Sequence, residues 1–327
     1  MQPLRVAVIG VGRLGQAHAR VFSEMPDVTL IGVFDPDVAR AAEVAARCGT
    51  QSWPNPEALC VAADAVSIVT PTVAHAEMAS IALTAKRSVF VEKPIAATLE
   101  EADAMIALAR THGVPIQVGH IERFNGAVQA IEGLDIAPGF IESHRLASFD
   151  PRGTDVSVVH DLMIHDIDLI RHLVRSDIVH IDATGVAVIS DRIDIANARL
   201  RFASGCVANV TSSRISLKKM RKMRLFQRDA YISMDFLEGK SEIYRLLGED
   251  ETAPPGMVIP VNTGTGVSRR ILCASPPTSA RESLVLELES FVRAARGLTV
   301  PPVTGEDGRE ALRVSLEIVK IIEEHGR

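Results

Sequence analysis

Four cysteines are all this chain of 327 residues has, and no two of them form a CxxC pair. Cys48, Cys60, Cys206 and Cys273 are too scattered for a disulfide or zinc framework, and they read as reduced, mostly buried thiols. Also missing is an apolar run near the roughly 20 residues that cross a bilayer. Residues Met1–Arg5 lead into a strand without the apolar core of a signal peptide. A cytoplasmic protein with no membrane partner is the expectation. Positive charge is not in excess: 35 Lys and Arg against 41 Asp and Glu leave a net charge of −6. That argues against a surface made to seek nucleic acid. The one basic run, Lys218–Arg224, lacks interleaved aromatics and fits an exposed strand or turn, with an anionic substrate's entrance as the alternative use. No internal repeat is present.

Present instead are length and alternation. A chain this long exceeds one ordinary core, so two domains are expected. Its first 120 residues alternate apolar strand runs with Ala-rich amphipathic helices, the pattern of a parallel sheet covered on both faces. Strands are predicted at Arg5–Ile9, Thr29–Phe34, Ala65–Val69, Ser88–Val91 and Ile116–Val118, and helices at Leu14–Glu24, Asp37–Arg47, His75–Thr84 and Leu99–His112. After Gly119 the texture changes. Arg123–Glu132 reads as helix, Phe140–Ser148 as strand and Val156–Val174 as a long helix. Ile178–Leu247 is β-rich, and Ser279–Arg296 and Glu306–Glu324 read as helices. Gly248–Thr265, rich in Gly, Pro and Thr, is the expected mobile loop. The predicted architecture is α/β, with a doubly wound domain over residues 1–120 and a second domain on an open, mostly antiparallel sheet over 121–327.

Gly10-Val11-Gly12-Arg13-Leu14-Gly15 follows the first strand and opens the first helix. In that context the glycines allow the tight turn, close approach to a pyrophosphate and helix–strand packing, while the helix N-terminus offers free N–H groups to phosphate. Asp35 ends the second strand, 20 residues after Gly15. A carboxylate there accepts hydrogen bonds from the adenosine ribose and repels the extra phosphate of NADP, so NAD is the expected cofactor. The bland alternative is a helix cap, which Asp37 can supply as well.

Thr70-Pro71-Thr72 closes the run Ala65–Val69 and leaves a ledge beside the cofactor, with His75 in the next helical turn. His75 by itself reads as a capping or surface residue. In Val91-Glu92-Lys93-Pro94 an apolar strand ends in a lysine, where a parallel sheet presents its ligand site. Such a lysine can donate to a developing alkoxide. Asp161 and His165 share a face of the helix Val156–Val174, an arrangement suited to a proton acceptor and its orienting carboxylate. Asp168 can brace the same face. His160, Asp161, His165 and Asp166 do not form a convincing three-ligand set, and no metal is expected.

On Gly10–Gly15, Asp35, Thr70-Pro71, Glu92-Lys93-Pro94 and Asp161 with His165, the chain resembles the Gfo/Idh/MocA oxidoreductases, the family of glucose-fructose oxidoreductase and inositol dehydrogenase. The resemblance implies an NAD-binding Rossmann domain and a second domain for substrate and for contacts between subunits, hence a homodimer or homotetramer. It implies Lys93, Asp161 and His165 as the catalytic set, His165 being the base. Cofactor contacts are expected from Gly10, Gly12, Arg13, Leu14 and Gly15, and from Asp35, Thr70, Pro71 and His75. Glu92, Lys93 and His120 complete that group.

Gly119–Asn125 and Asp161–Asp168 are further similar to a subgroup that oxidises C3 of UDP-N-acetylglucosamine ahead of transamination to a 3-amino sugar for lipid A. Gly126 departs from it, since that pattern has proline after Arg-Phe-Asn, and His160 is a second departure. Substrate contacts are then expected from Lys93 and His165, with Arg123, Asn125 and Arg152 as candidates and Arg152 suited to a diphosphate. Two alternatives accompany this reading: a polyol or inositol dehydrogenase, and a non-catalytic NAD or sugar-nucleotide sensor. Intact Lys93, Asp161 and His165 weigh against the sensor, which needs no proton-transfer set.

Overall fold

The computed structural model describes residues 2–150, 156–262 and 268–325. They fall into two compact units, Met1–Ile121 with Arg281–Arg313, and Glu122–Ala280 with Val314–Arg327.

The first unit opens with β1 (Leu4–Ile9), α1 (Arg13–Glu24), β2 (Val28–Phe34), α2 (Val38–Arg47) and α3 (Pro56–Ala62). β3 (Ala65–Ile68), α4 (His75–Thr84), β4 (Ser88–Glu92), α5 (Leu99–His112) and β5 (Ile116–Gly119) follow. All strand pairs are parallel, in the order β2-β1-β3-β4-β5. Strand order reverses between β1 and β3, and a ligand crevice opens at the carboxyl ends of strands at such a point. α3 is not among the predicted helices, although its start is marked locally: Asn55 caps it by accepting from the Ala58 N–H, and Pro56 takes the first helical position. α5 has a full capping box from Thr98 and Glu101 and a left-handed Gly113 at its end.

The second unit contains α6 (Gly126–Gln129), β6 (Phe140–Leu146), α7 (Ile164–Val174), β7 (Ile178–Val186), β8 (Ile195–Phe202) and β9 (Val207–Ser213). After them come β10 (Met220–Phe226), β11 (Ala230–Asp235), β12 (Lys240–Leu247), β13 (Met257–Asn262) and β14 (Ser268–Ala274). The nine strands run β13-β14-β12-β11-β10-β6-β9-β8-β7, and β6 with β9 is the parallel pair among antiparallel ones. One face buries Ile141, Val210, Leu200, Met223 and Met234 with Ile167 and Ile170 of α7. On the opposite face Phe140, Phe226, Tyr231 and Tyr244 stand at paired register positions, with ring centroids 5.7, 5.0 and 5.5 Å apart in turn.

Three expectations need correction, and that for the basic run holds. Gly248–Thr265 is not all loop: β13 pairs with β14, and residues 263–265 lie outside the described ones. Arg123–Glu132 is not one helix but a 3-10 turn, Ile121–Phe124, and the short α6. The basic run is a strand, as expected: exposed Lys218 and Lys219 lead into β10, which sits between β11 and β6 with Lys222 paired to Asp235 and Arg224 to Glu142. Finally, the units are not the uninterrupted stretches 1–120 and 121–327. α8 (Ser283–Ala295) belongs with the first unit, where Phe291 meets Phe90 edge-on and Gln117 Nε2 donates to the Glu287 carbonyl and Ser290 Oγ. In α9 (Gly305–His325), residues 305–313 group with the first unit and 314–325 with the second.

Candidate active site

In the first unit the glycine loop is defined by close approach. Gly10 has φ +86°, and a Cβ there would stand 2.7 Å from the Val69 carbonyl oxygen. A Cβ at Gly15 would stand 1.9 Å from the Gly10 carbonyl oxygen, so α1 begins directly on the loop. At Gly12 the space is open. α1 has no side-chain cap and no acidic residue in its first turn, which leaves its N–H groups for an anion. Arg13 and Leu14 stand exposed in that turn.

Asp35 is nearly buried, and its role is wider than expected. Its carboxylate accepts the Val11 N–H at 2.9 Å, the Asp37 N–H at 2.9 Å and Arg40 Nη1 at 3.3 Å. Asp35 therefore holds the glycine loop as well as the end of β2. Asp37, not Asp35, caps α2. Arg40, which also donates to Asp37 at 2.8 Å, is a charge beside Asp35 that the sequence reading overlooked. Its signal was there, three residues after the cap on the first turn of α2.

Thr70 follows β3, and its Oγ1 is buried without a hydrogen-bond partner among the described residues. The open helix start, the room at Gly12 and this orphaned hydroxyl fit a dinucleotide. Pro71 is exposed at the same ledge. His75 is buried, not a surface cap: Nδ1 lies 2.9 Å from the Pro94 carbonyl and Nε2 2.9 Å from the Thr70 carbonyl. It clips two strand-end loops together. Burial pushes its pKa below the ordinary imidazole value, against the two carbonyls, which favour the protonated ring. Lys93 is half-buried beyond β4, with a cis peptide to Pro94. Glu92 is buried and accepts the Lys93 N–H at 3.2 Å. His120 is buried just after β5.

In the second unit, the predicted helix Val156–Val174 is a π-helical turn, Val159–Met163, running into α7. Asp161 lies in the π turn beside His160, and His165 in the first turn of α7, both half-buried. Single π turns are frequent at functional sites. Ser157 starts this segment: its hydroxyl accepts the Val159 N–H and its carbonyl the Asp161 N–H.

The residues around this helix are bound by charge. Arg123 Nε and Nη2 donate to the two Asp168 oxygens at 2.6 and 2.7 Å. Arg145, on the inner face of β6, makes the same two-pronged contact with Asp166 at 2.8 and 3.0 Å and reaches Glu122 at 2.7 Å. All five side chains are nearly buried. Burial opposes the Arg145 charge, but the pull of Asp166 and Glu122 outweighs it and holds the guanidinium well above its ordinary range.

Asn125 is spent internally too: it caps α6 through the Ala127 N–H and donates to Glu122 and to the Phe236 carbonyl. Arg123 and Asn125 thus brace the helix and its approach, which departs from the substrate contacts expected of them. Glycine at position 126 has a steric reason, since a Cβ there would stand 2.6 Å from the Gly239 carbonyl oxygen. Arg152 lies outside the described residues. The first unit brings together the expected residues from Gly10 to Lys93, and the second brings together Asp161, His165 and their braces. Sequence reasoning missed Arg40, Arg145 and His18; the last is buried against Ser67 and Glu92.

The chain matches the model of the oxidoreductase family with an NAD-binding Rossmann fold, GFO/IDH/MocA, over residues 4–120. It matches the GFO/IDH/MocA C-terminal domain over residues 139–232. UDP-N-acetylglucosamine 3-dehydrogenase of Acidithiobacillus ferrooxidans is 36% identical over 321 residues, covering 98% of this chain and 97% of that one. Its solved structure aligns with a TM-score of 0.88 at 35% identity and covers 99% of both chains. Myo-inositol 2-dehydrogenase of Thermotoga maritima is 26% identical over 98% of this chain and 97% of its own length.

Proposed function

The chain belongs to the Gfo/Idh/MocA oxidoreductase family, and on that premise we propose that it is the NAD-dependent dehydrogenase of the C3 hydroxyl of UDP-N-acetylglucosamine, forming the 3-keto sugar nucleotide. The observation that carries this reading is the end-to-end likeness to the Acidithiobacillus enzyme of that name. Its product is suited to transamination to a 3-amino sugar for lipid A.

Bound NAD supplies the hydride acceptor. The open N-terminus of α1 would hold its pyrophosphate and Asp35 its adenosine ribose, with the Thr70 hydroxyl and the Glu92–Lys93 strand end completing the cofactor site. Lys93 Nζ donates to the C3 oxygen and stabilises its growing negative charge. His165 removes the hydroxyl proton. Its Nε2 is assigned as the accepting atom. Asp161 orients the ring and stabilises its charged form. Arg123, through Asp168, keeps the helix in place, and Arg152 remains the candidate for the diphosphate. The aromatic row on the nine-stranded sheet supports a homodimer or homotetramer. A second reading, oxidation of a free inositol or polyol, is favoured by the likeness to the Thermotoga enzyme.

Absorbance of NADH, followed with UDP-sugars, free sugars and polyols, separates the two. UDP-N-acetylglucosamine should be turned over far better than free N-acetylglucosamine or myo-inositol, because the nucleotide part contributes binding energy. Equal activity on myo-inositol would replace the first reading with the second. With the preferred substrate, His165→Asn should lower kcat by about 10²–10⁴-fold and leave NAD affinity unchanged. Near-normal turnover in that variant would move the base elsewhere, Lys93 first.

A further inference from the structure

We infer that His18 is a positioning residue for the strand end that carries Lys93, acting through Glu92; this rests on the role proposed for Lys93. α1 turns Gly15, Ala19, Val21 and Phe22 inward, and His18 is the one titratable side chain on that buried face. It is fully buried. A residue whose only task was to pack α1 on the sheet would be apolar there.

Both ring nitrogens face a polar neighbour, although only Nδ1 meets its neighbour in hydrogen-bond geometry. Nδ1 lies 2.9 Å from Ser67 Oγ on β3, and Nε2 lies 3.3 Å from Glu92 Oε1 at the end of β4. The ring meets Phe90 edge-on at 5.4 Å between centroids, which fixes its plane. Glu92 turns its second oxygen to the Lys93 N–H, at 3.2 Å. From β5, Gly119 closes over the carboxyl group so tightly that a Cβ would stand 2.9 Å from its atoms. Ser67, His18, Glu92 and the Lys93 N–H therefore form one buried chain from α1 and β3 to the Lys93 backbone.

The chemistry sets the hydrogen positions. A carboxylate holding the Lys93 N–H offers only lone pairs to the ring, so Nε2 carries the hydrogen toward Glu92 and Nδ1 accepts from the Ser67 hydroxyl. That tautomer turns the Nε2 hydrogen toward the carboxylate and gives the Ser67 hydroxyl an acceptor. Glu92 is then held from the α1 side by His18, from the β5 side by close packing, and ties Lys93 in place through its own backbone. Support of this kind decides whether a reacting group sits at its working distance.

Two amide replacements test this, since each reproduces half of the imidazole. In His18→Gln the amide reaches Glu92 as Nε2 does, whereas in His18→Asn it reaches only Ser67 as Nδ1 does. His18→Asn should lower kcat by about 10- to 10²-fold, the scale of a misplaced reacting group. NAD affinity measured by titration calorimetry should stay at the wild-type value, and His18→Gln should recover kcat. Equal kcat in the two variants, or a loss of NAD affinity in step with the loss of kcat, would overturn the inference.

Nitrogen NMR of the wild-type protein gives a reading that does not depend on any variant folding. The His18 ring should show the Nε2–H tautomer, and the Nδ1–H form would sink the proposal. Lys93→Met separates this from the reading beneath it. Normal turnover in Lys93→Met removes the role of Lys93 itself. Lost turnover there, with His18→Gln and His18→Asn alike, removes only that of His18.

Discussion

Every residue of β3, β4 and β5 is buried, whereas burial alternates residue by residue along β6 and nearly so along β8. The first sheet is covered on both faces, and the second has one face packed and one bearing exposed aromatics. A strand covered on both sides has no face free to present a polar group to solvent, and those it carries, Ser67, Glu92 and Gln117, are buried. Its chemistry appears where the backbone leaves the sheet: Gly10 after β1, Thr70 after β3, Lys93 after β4 and His120 after β5. A strand with an inner and an outer face can send a charged side chain inward if that charge is paired. Arg145 does so from β6, and with Arg123 it holds Asp166 and Asp168 on the helix that carries His165. The first unit arranges its proposed site residues at backbone turns, with the buried His18–Glu92 contact behind them, and the second holds its own by buried ion pairs.

That contrast can be broken most sharply at Arg145. Arg145→Met keeps the size of the side chain but leaves Asp166 and Glu122 buried without their partner. A loss of about 3–5 kcal/mol in urea unfolding is expected. A loss under about 1 kcal/mol, the scale of an exposed pair, would mean that packing and not charge holds α7.

At Asp35 the expected effect is smaller and falls on binding. Asp35→Ala removes charge-assisted hydrogen bonds, each worth about 1.5–3 kcal/mol, and frees Arg40 from its pairing with that carboxylate. NAD affinity should drop roughly 10- to 100-fold, and the preference for NAD over NADP should shrink as Arg40 becomes available to a 2′-phosphate. Unchanged selectivity in calorimetric titrations would leave Asp35 only the task of holding the Val11 N–H.

The smallest effect concerns the His75 clip and appears in pH dependence. Burial keeps the folded imidazole below its ordinary value. The unfolded chain takes up that proton near pH 6.5, so below this pH the unfolded state binds more protons than the folded one. The stability His75 contributes is present above about pH 6.5 and is lost as pH falls through the folded value. His75→Gln should be less stable than wild type at pH 8 and should lose less on going from pH 7 to 5. Parallel urea midpoints across that range would place the titration on another group.

Sequence and structure agree best where a feature is local. The glycine loop was legible because a strand, three glycines and a helix start lie within a dozen residues. Asp161 and His165 were expected one turn apart on an α-helix, but the π turn over Val159–Met163 changes that spacing. Arg123 and Asn125 carried no such signal. Nothing near them in sequence tells that Asp168 and Phe236 satisfy them, 45 and 111 residues away. Gly126 is similar: its need for glycine comes from the backbone of Gly239. The loop expected at Gly248–Thr265 failed for a related reason, because the turn-rich composition was read without the partner strand β14 that makes Met257–Asn262 an edge strand.

By itself, then, the amino-acid order determined the parallel sheet, the dinucleotide loop and the residue types available for proton transfer. Those depend on φ/ψ preferences, alternation and hydrogen bonds within a few residues, all of which can be read along the chain. Tertiary structure alone decided that α8 belongs with the first unit, that Arg145 pairs with Asp166 and Glu122, and that His18 meets Glu92. The physical reason is one of cost. A charge or imidazole can be buried only beside a partner, and which partner is near depends on how strands are ordered in a sheet and which helix covers them.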